Sequence, residues 1–221
     1  MDEFERPFPG AYARFFFGVA VFLTLACLTT QLVALRTGHD RLLGLTKFVD
    51  LNAEQNFPTW FSSVLLFSLF LQARTISAKV RDGFSNSWKV LAWLFLIMSV
   101  DEVATMHEAV GTLLRELFHL VGYFYFQFVI PGAVLALAVA LAYGRMLIRL
   151  PRPTGLGMLA AGALYVLGTI VLESLEGNWS FRHGQSSLPF FLMTDAEEFL
   201  EMLGAILMLR TLSRYSSPRS V

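Results

Sequence analysis

Six long apolar blocks, each near the ~20 residues that carry a helix across a bilayer, leave this chain few ways to fold. They run over about 15–35, 58–73, 88–107, 124–148, 156–176 and 190–212. No stretch alternates with the period of a strand, no low-complexity tract interrupts the blocks, and no internal repeat is visible. The expectation is an all-α chain: a six-helix transmembrane bundle forming a single integral membrane domain over 1–221. Only 15% of residues are charged, against roughly 25% in a soluble domain. At this length the blocks leave no room for a separate soluble domain.

The basic residues give the blocks a direction. Arg6, Arg14, Arg74, Lys79, Arg81, Lys89, Arg145, Arg149, Arg152, Arg210, Arg214 and Arg219 fall on one side of the alternation. Arg36, Arg41, Lys47, Arg115 and Arg182 fall on the other. A bias of twelve to five predicts both termini in the cytoplasm. Net charge is zero and no basic cluster suggests nucleic acid as a partner. Cys27 is the one cysteine, so no internal disulfide forms. Asp2, Glu3 and Glu5 precede the first block where a secretory signal carries positive charge, so that block reads as a retained helix.

The acids carry the functional signal. Asp101 and Glu102 lie about six residues before the outer end of the third block, so ~9 Å below the surface. His107 and Glu108 mark that surface. Glu173 and Glu176 end the fifth block, and Asp195, Glu197, Glu198 and Glu201 occupy the first half of the sixth. Three helices thus bring carboxylates to the outer half of the membrane, where such groups face partners or a wet cavity. At 100° per residue Thr194, Glu197, Glu198 and Glu201 share an arc of about 100°. Thr169, Glu173 and Glu176 share about 60°, as do Asp101, Thr105 and Glu108. Glu102 and His107 flank that last face, and both become central only if the helix distorts.

Crowded carboxylates in a low dielectric are neutralised by protons or by cations. Arg182 and His183, in the outer loop before the sixth block, are too few to balance them. The candidate metal ligands are therefore Asp101, Glu102, His107, Glu108, Glu173, Glu197, Glu198 and Glu201. Carboxylates with one imidazole suit zinc, manganese or iron, and magnesium or calcium less well. The Glu-x-x-His pair of di-iron bundles and the His-Glu-x-x-His zinc motif are both absent. The other reading is that the acids cap helices or hydrogen-bond between them, most of all Asp195 and Glu176.

Asp50, Asn52, Glu54 and Asn56 alternate oxygen-bearing side chains before the second block. They suit an outer cation loop without its glycine, a lid over the acids, or a helix cap at Asn56. His39 and His183 read as solvated loop residues, and His119 as following an interfacial helix. The runs FFF and YFYFQF are expected to face lipid, and Pro131 to bend the fourth helix. Gly155, Gly157, Ala161 and Gly162 are expected to permit close helix packing.

In the segments FVDLNAEQNFPTWFSS, SVDEVATMHE and DAEEFLEMLG the chain resembles a group of uncharacterised bacterial multi-pass membrane proteins. The resemblance covers about a sixth of the chain, implies the bacterial inner membrane, and transfers no activity. Three functions remain open. One is an outward-facing divalent-metal site, as in a small membrane hydrolase or redox enzyme. The second is a non-catalytic accessory or assembly subunit of a membrane complex. The third is a proton- or cation-coupled transporter, which no inverted repeat or broken helix supports. The bilayer is the expected partner in each, with a membrane-complex subunit or a second copy of the chain beside it.

Overall fold

The computed structural model describes residues 9–38, 44–81 and 83–216, and the described residues are helical with no strand. His39, Arg6, Arg41 and Arg219 lie outside them. Nine α-helices follow in order: α1 (Pro9–Thr37), α2 (Thr46–Val49), α3 (Phe57–Lys79), α4 (Ser85–Ala104), α5 (Met106–Phe118), α6 (Val129–Arg149), α7 (Arg152–Val166), α8 (Glu173–His183) and α9 (Leu188–Ser216). A π-helical turn, Leu167–Leu172, joins α7 to α8 into one run from Arg152 to His183.

Among the described residues four helices are long and apolar enough to cross a membrane: Tyr12–Thr37, Phe57–Lys79, Val129–Arg149 and Arg152–His183. A fifth arises if α4 and α5, bent by 73° at their junction, count as one broken span. The acids of α9 lower its hydropathy below that of a span read alone. They have a place because α9 is the hub, packed against α1, α3, α7 and α8.

The helix starts follow local chemistry. Asn56 caps α3, its Oδ1 accepting from Thr59 N at 3.1 Å, with Pro58 in the first turn. Pro131 likewise sits in the first turn of α6, where its missing N–H is harmless. The helix begins at Val129, so Pro131 lies at its start rather than inside a longer span from Phe124. α3 and α4 are joined twice by reciprocal serines. Ser63 Oγ donates to Ser99 O at 2.8 Å and Ser99 Oγ returns to Ser63 O at 2.9 Å. Ser77 and Ser85 repeat the exchange at 2.9 and 2.8 Å. Such bonds between spans average ~0.6 kcal/mol each.

The apolar core gathers Leu65, Leu69, Ile76, Trp88, Met202 and Leu212. Of the aromatic runs, Phe15 and Phe17 are exposed, while Phe16 packs on Phe61. Tyr123 and Phe124 are exposed, but Gln127 is buried and Phe128 packs on His107, so YFYFQF is not a lipid-facing run. α7 and α9 meet through small residues. A Cβ on Gly204 would lie 2.8 Å from Ala161 O and 2.9 Å from Tyr165 N, whereas one on Gly162 meets nothing within 4 Å. Gly155 and Gly157 are closely approached, and Gly162 is not a packing residue. Gly204→Val is expected to destabilise the protein by roughly 1–3 kcal/mol. Gly162→Ala should be nearly neutral, and thermal unfolding in detergent compares the two.

Candidate metal centre

The helix that carries Asp101 does not run through to His107. Thr105 takes the left-handed conformation (φ 51°) and ends α4, and α5 departs at a steep angle. Asp101 holds that corner: its Oδ1 accepts from His107 N at 2.8 Å and its Oδ2 from His107 Nδ1 at 3.0 Å. The common face expected for Asp101, Thr105 and Glu108 on a continuous helix therefore does not exist. The helix is distorted instead, and His107 stays within electrostatic reach of Glu102.

With Nδ1 bonded to Asp101, the imidazole presents Nε2 elsewhere. Glu54, His107 and Glu108 each bring a ligand atom within 4.8 Å of the others. Ligand atoms around one ion, each at ~2.0–2.6 Å, fit that spread. A carboxylate on the far ring nitrogen is the usual orienting partner of a metal-bound histidine. Phe128 packs on the ring at 5.4 Å between centroids.

Glu54 comes from the loop between α2 and α3. Gln55 is left-handed there (φ 61°). Asn56 Nδ2 latches the loop by donating to Asp50 O at 2.6 Å and Ala53 O at 2.7 Å. Thr59 Oγ1 donates to Glu54 Oε2 at 3.2 Å, steadying the carboxylate. Burial pushes the Glu54 carboxyl above its ordinary range, and Thr59 opposes the shift. Burial raises Asp50 likewise.

The remaining acids extend inward from this group. Glu102 lies within electrostatic reach of Glu54, His107 and Asp101, with Ser62 beside it. Glu173 reaches His107 and Glu176. Glu198 and Glu201 reach each other, Glu102 and Glu176, and Tyr165 faces Glu201. Glu102, Glu198 and Glu201 are half-buried. Glu176 is buried, takes a hydrogen bond from Thr194 Oγ1 at 2.9 Å and neighbours Glu197.

The π-helical turn sits opposite these acids, as such turns often do at functional sites. A Cβ on Gly168 would fall 2.9 Å from Glu197 O and 3.0 Å from Glu201 Cγ, so only glycine lets α9 in this close. Asp195 stands apart, turned toward α1. Arg182 and His183 belong to α8 rather than to a loop. Arg182 Nε donates to Asn178 Oδ1 at 3.1 Å and His183 stacks on Trp179 at 4.2 Å. His119 ends α5 in the left-handed conformation, φ 49°.

Sequence reasoning had not set Glu54 among the ligands. The signal was its place in an oxygen-rich loop on the same side as the acids.

The fold and the site together define a helical membrane protein with a carboxylate–imidazole group at one end of its bundle. The chain belongs to the family described as Domain of unknown function (DUF8692), whose model matches residues 13–215. No curated protein and no solved structure matches it.

Proposed function

We propose that this protein is a divalent-metal-binding membrane protein, with Glu54, His107 and Glu108 as ligands and Asp101 as the orienting partner of His107. The convergence of those three ligand atoms, with Nδ1 already committed to Asp101, carries the reading. Two carboxylates and one imidazole suit zinc, manganese or iron. Three protein ligands leave coordination positions open, as at catalytic rather than structural zinc sites. A metal so held would activate water, and Glu102 and Glu173, in electrostatic reach of His107, would be the candidate proton acceptors. The reaction class that follows is metal-assisted hydrolysis. Glu197, Glu198 and Glu201 then belong to the inner wall of the site.

Elemental analysis of the purified protein tests this reading. About one equivalent of zinc, manganese or iron is expected at this centre, displaced by chelator, and His107→Gln should hold one equivalent less than the unmodified protein. No retained metal, together with no change in thermal midpoint on adding Zn2+, Mn2+ or Fe2+, would overturn it. Such a result would favour an accessory subunit without chemistry of its own. Metal that crosses into proteoliposomes instead of staying bound would favour transport.

The same proposal places the chain in a bacterial inner membrane as a multi-pass protein of six spans, with both termini cytoplasmic. The spans are α1, α3, α4, α6, the run from α7 to α8, and α9 with its acids turned into the bundle. The metal site then faces outward. Reporter fusions after Gly83, Arg152 and Val221 should read cytoplasm, and those after Asn52 and Gly184 the outside. A reversed signal at either outer position would sink the topology.

A further inference from the structure

Away from Glu54, His107 and Glu108, α1 and α9 bring a second polar group together inside the apolar bundle. Cys27 is fully enclosed, Gln31 one turn later is 5% exposed, and Asp195 is 4% exposed. Gln31 Nε2 lies 3.1 Å from Cys27 Sγ and 3.1 Å from Asp195 Oδ1, and Sγ lies 3.3 Å from that same Oδ1. Three side chains from two helices thus converge on one point. The loop joins them: Leu51 N–H donates to Cys27 Sγ at 3.3 Å, and Asp50 is within electrostatic reach of Cys27 and Asp195. Two acceptors are left over. Gln31 Oε1 and Asp195 Oδ2 are buried without a hydrogen-bond partner among the described residues.

We propose that Cys27, Gln31 and Asp195 form a second metal site, for a thiophilic divalent cation of the zinc class. Turning the Gln31 amide by half a revolution puts Oε1 where Nε2 stands. Sulfur and two oxygens then form a triangle with edges of 3.1–3.3 Å. Tetrahedral bonds of ~2.0–2.3 Å give ligand edges only slightly longer, so side-chain adjustment suffices. Charge decides the valence. A thiolate and one carboxylate neutralise a divalent ion, and a neutral centre is what an apolar interior tolerates. The sulfur ligand selects zinc over magnesium or calcium. The Leu51 N–H on sulfur is the kind of outer hydrogen bond that tunes a bound thiolate. Without metal, the Gln31 amide donates to the same sulfur and carboxylate. Without a metal, a proton on Asp195 would neutralise the carboxylate instead.

Cobalt reports the difference, because Co2+ bound to thiolate has an intense near-ultraviolet charge-transfer band that oxygen and imidazole ligands do not give. Titrating the purified full chain with Co2+ should raise this band to one equivalent, and Zn2+ should abolish it. Cys27→Ser should remove the band, and Asp195→Asn should weaken cobalt binding at least tenfold. Glu54→Gln and His107→Gln should leave the band intact, which separates this site from the first. Wild-type protein that takes up no cobalt with a sulfur band would overturn the proposal, as would a band that disappears with His107→Gln but tolerates Asp195→Asn. A protonated-carboxyl infrared band that Asp195→Asn removes and Zn2+ leaves unchanged would establish the proton instead. The decisive titration uses the unmodified protein, so a poorly folding variant leaves the proposal open to refutation.

Discussion

His107→Gln is expected to remove the metal of the Glu54–His107–Glu108 centre altogether, and Asp101→Asn to weaken it by 10–100-fold. The first substitution deletes the imidazole ligand. The second keeps an oxygen near His107 N but takes away the charge that holds the ring by Nδ1. Asp101 is therefore a positioning residue, and its variant should retain full stoichiometry at saturating metal. Glu54→Gln should fall between the two, because Thr59 Oγ1 still has an oxygen to hold. Glu116→Gln, on an exposed part of α5, should change nothing. Competition against a fluorescent zinc chelator measures the series. An Asp101 variant with wild-type affinity would show that the Asp101–His107 contact serves the helix corner alone.

That corner marks the limit of what the sequence makes legible. The apolar blocks announce their helices because hydropathy is a property of a whole segment, and burial of α9 explains how its acids are accommodated. Nothing in Val103-Ala104-Thr105-Met106 announces a break. There is no proline or glycine, and Thr105 is β-branched, a poor occupant of the left-handed region. The side chain of Asp101 holds the turn by reaching forward to His107, a contact that helical periodicity does not contain. A face computed on a straight helix fails from that residue onward. The π-helical turn is hidden for a similar reason: one extra residue among Leu167–Leu172 changes no hydropathy but re-aims Glu173 and Glu176.

The inner acids were legible as a group and not as individuals. Spacing along α9 places Glu197, Glu198 and Glu201 together, and Glu201 does meet the surroundings of Glu102 and Glu173. Asp195 has the same depth and the opposite fate, because two residues of rotation send it to Cys27 and Gln31. Those two, four apart within an apolar helix, share one face, and that pairing was the available signal. Loop contributions were the least legible. Glu54 and Leu51 are brought in by the latch of Asn56 on Asp50 O and Ala53 O, a backbone geometry with no periodic trace.

Removing metal should reverse the pH dependence of stability. In the metal-free protein, burial raises the Glu54 carboxyl above its ordinary 4.5 and Asp50 above 3.8. A raised carboxyl binds its proton more tightly in the folded state than in the unfolded one. Its contribution is therefore fully present below the unfolded value and is lost as pH rises through the folded value. Chelated protein should thus lose thermal stability as pH climbs from about 4.5 toward neutrality. Metal inverts the slope, because it binds ionised carboxylate and unprotonated imidazole and so binds more tightly as protons leave. The melting curves of chelated and metal-saturated protein should coincide near the acid end and diverge as pH rises. Glu54→Gln should flatten the chelated curve and reduce the gain on adding metal together, since one group underlies both. The measurement is the thermal midpoint across that pH range with chelator or with Zn2+. Parallel curves at every pH would mean that Glu54 is not a ligand. A chelated protein that grows more stable with rising pH would mean that its carboxylate is held by a cation from within the chain.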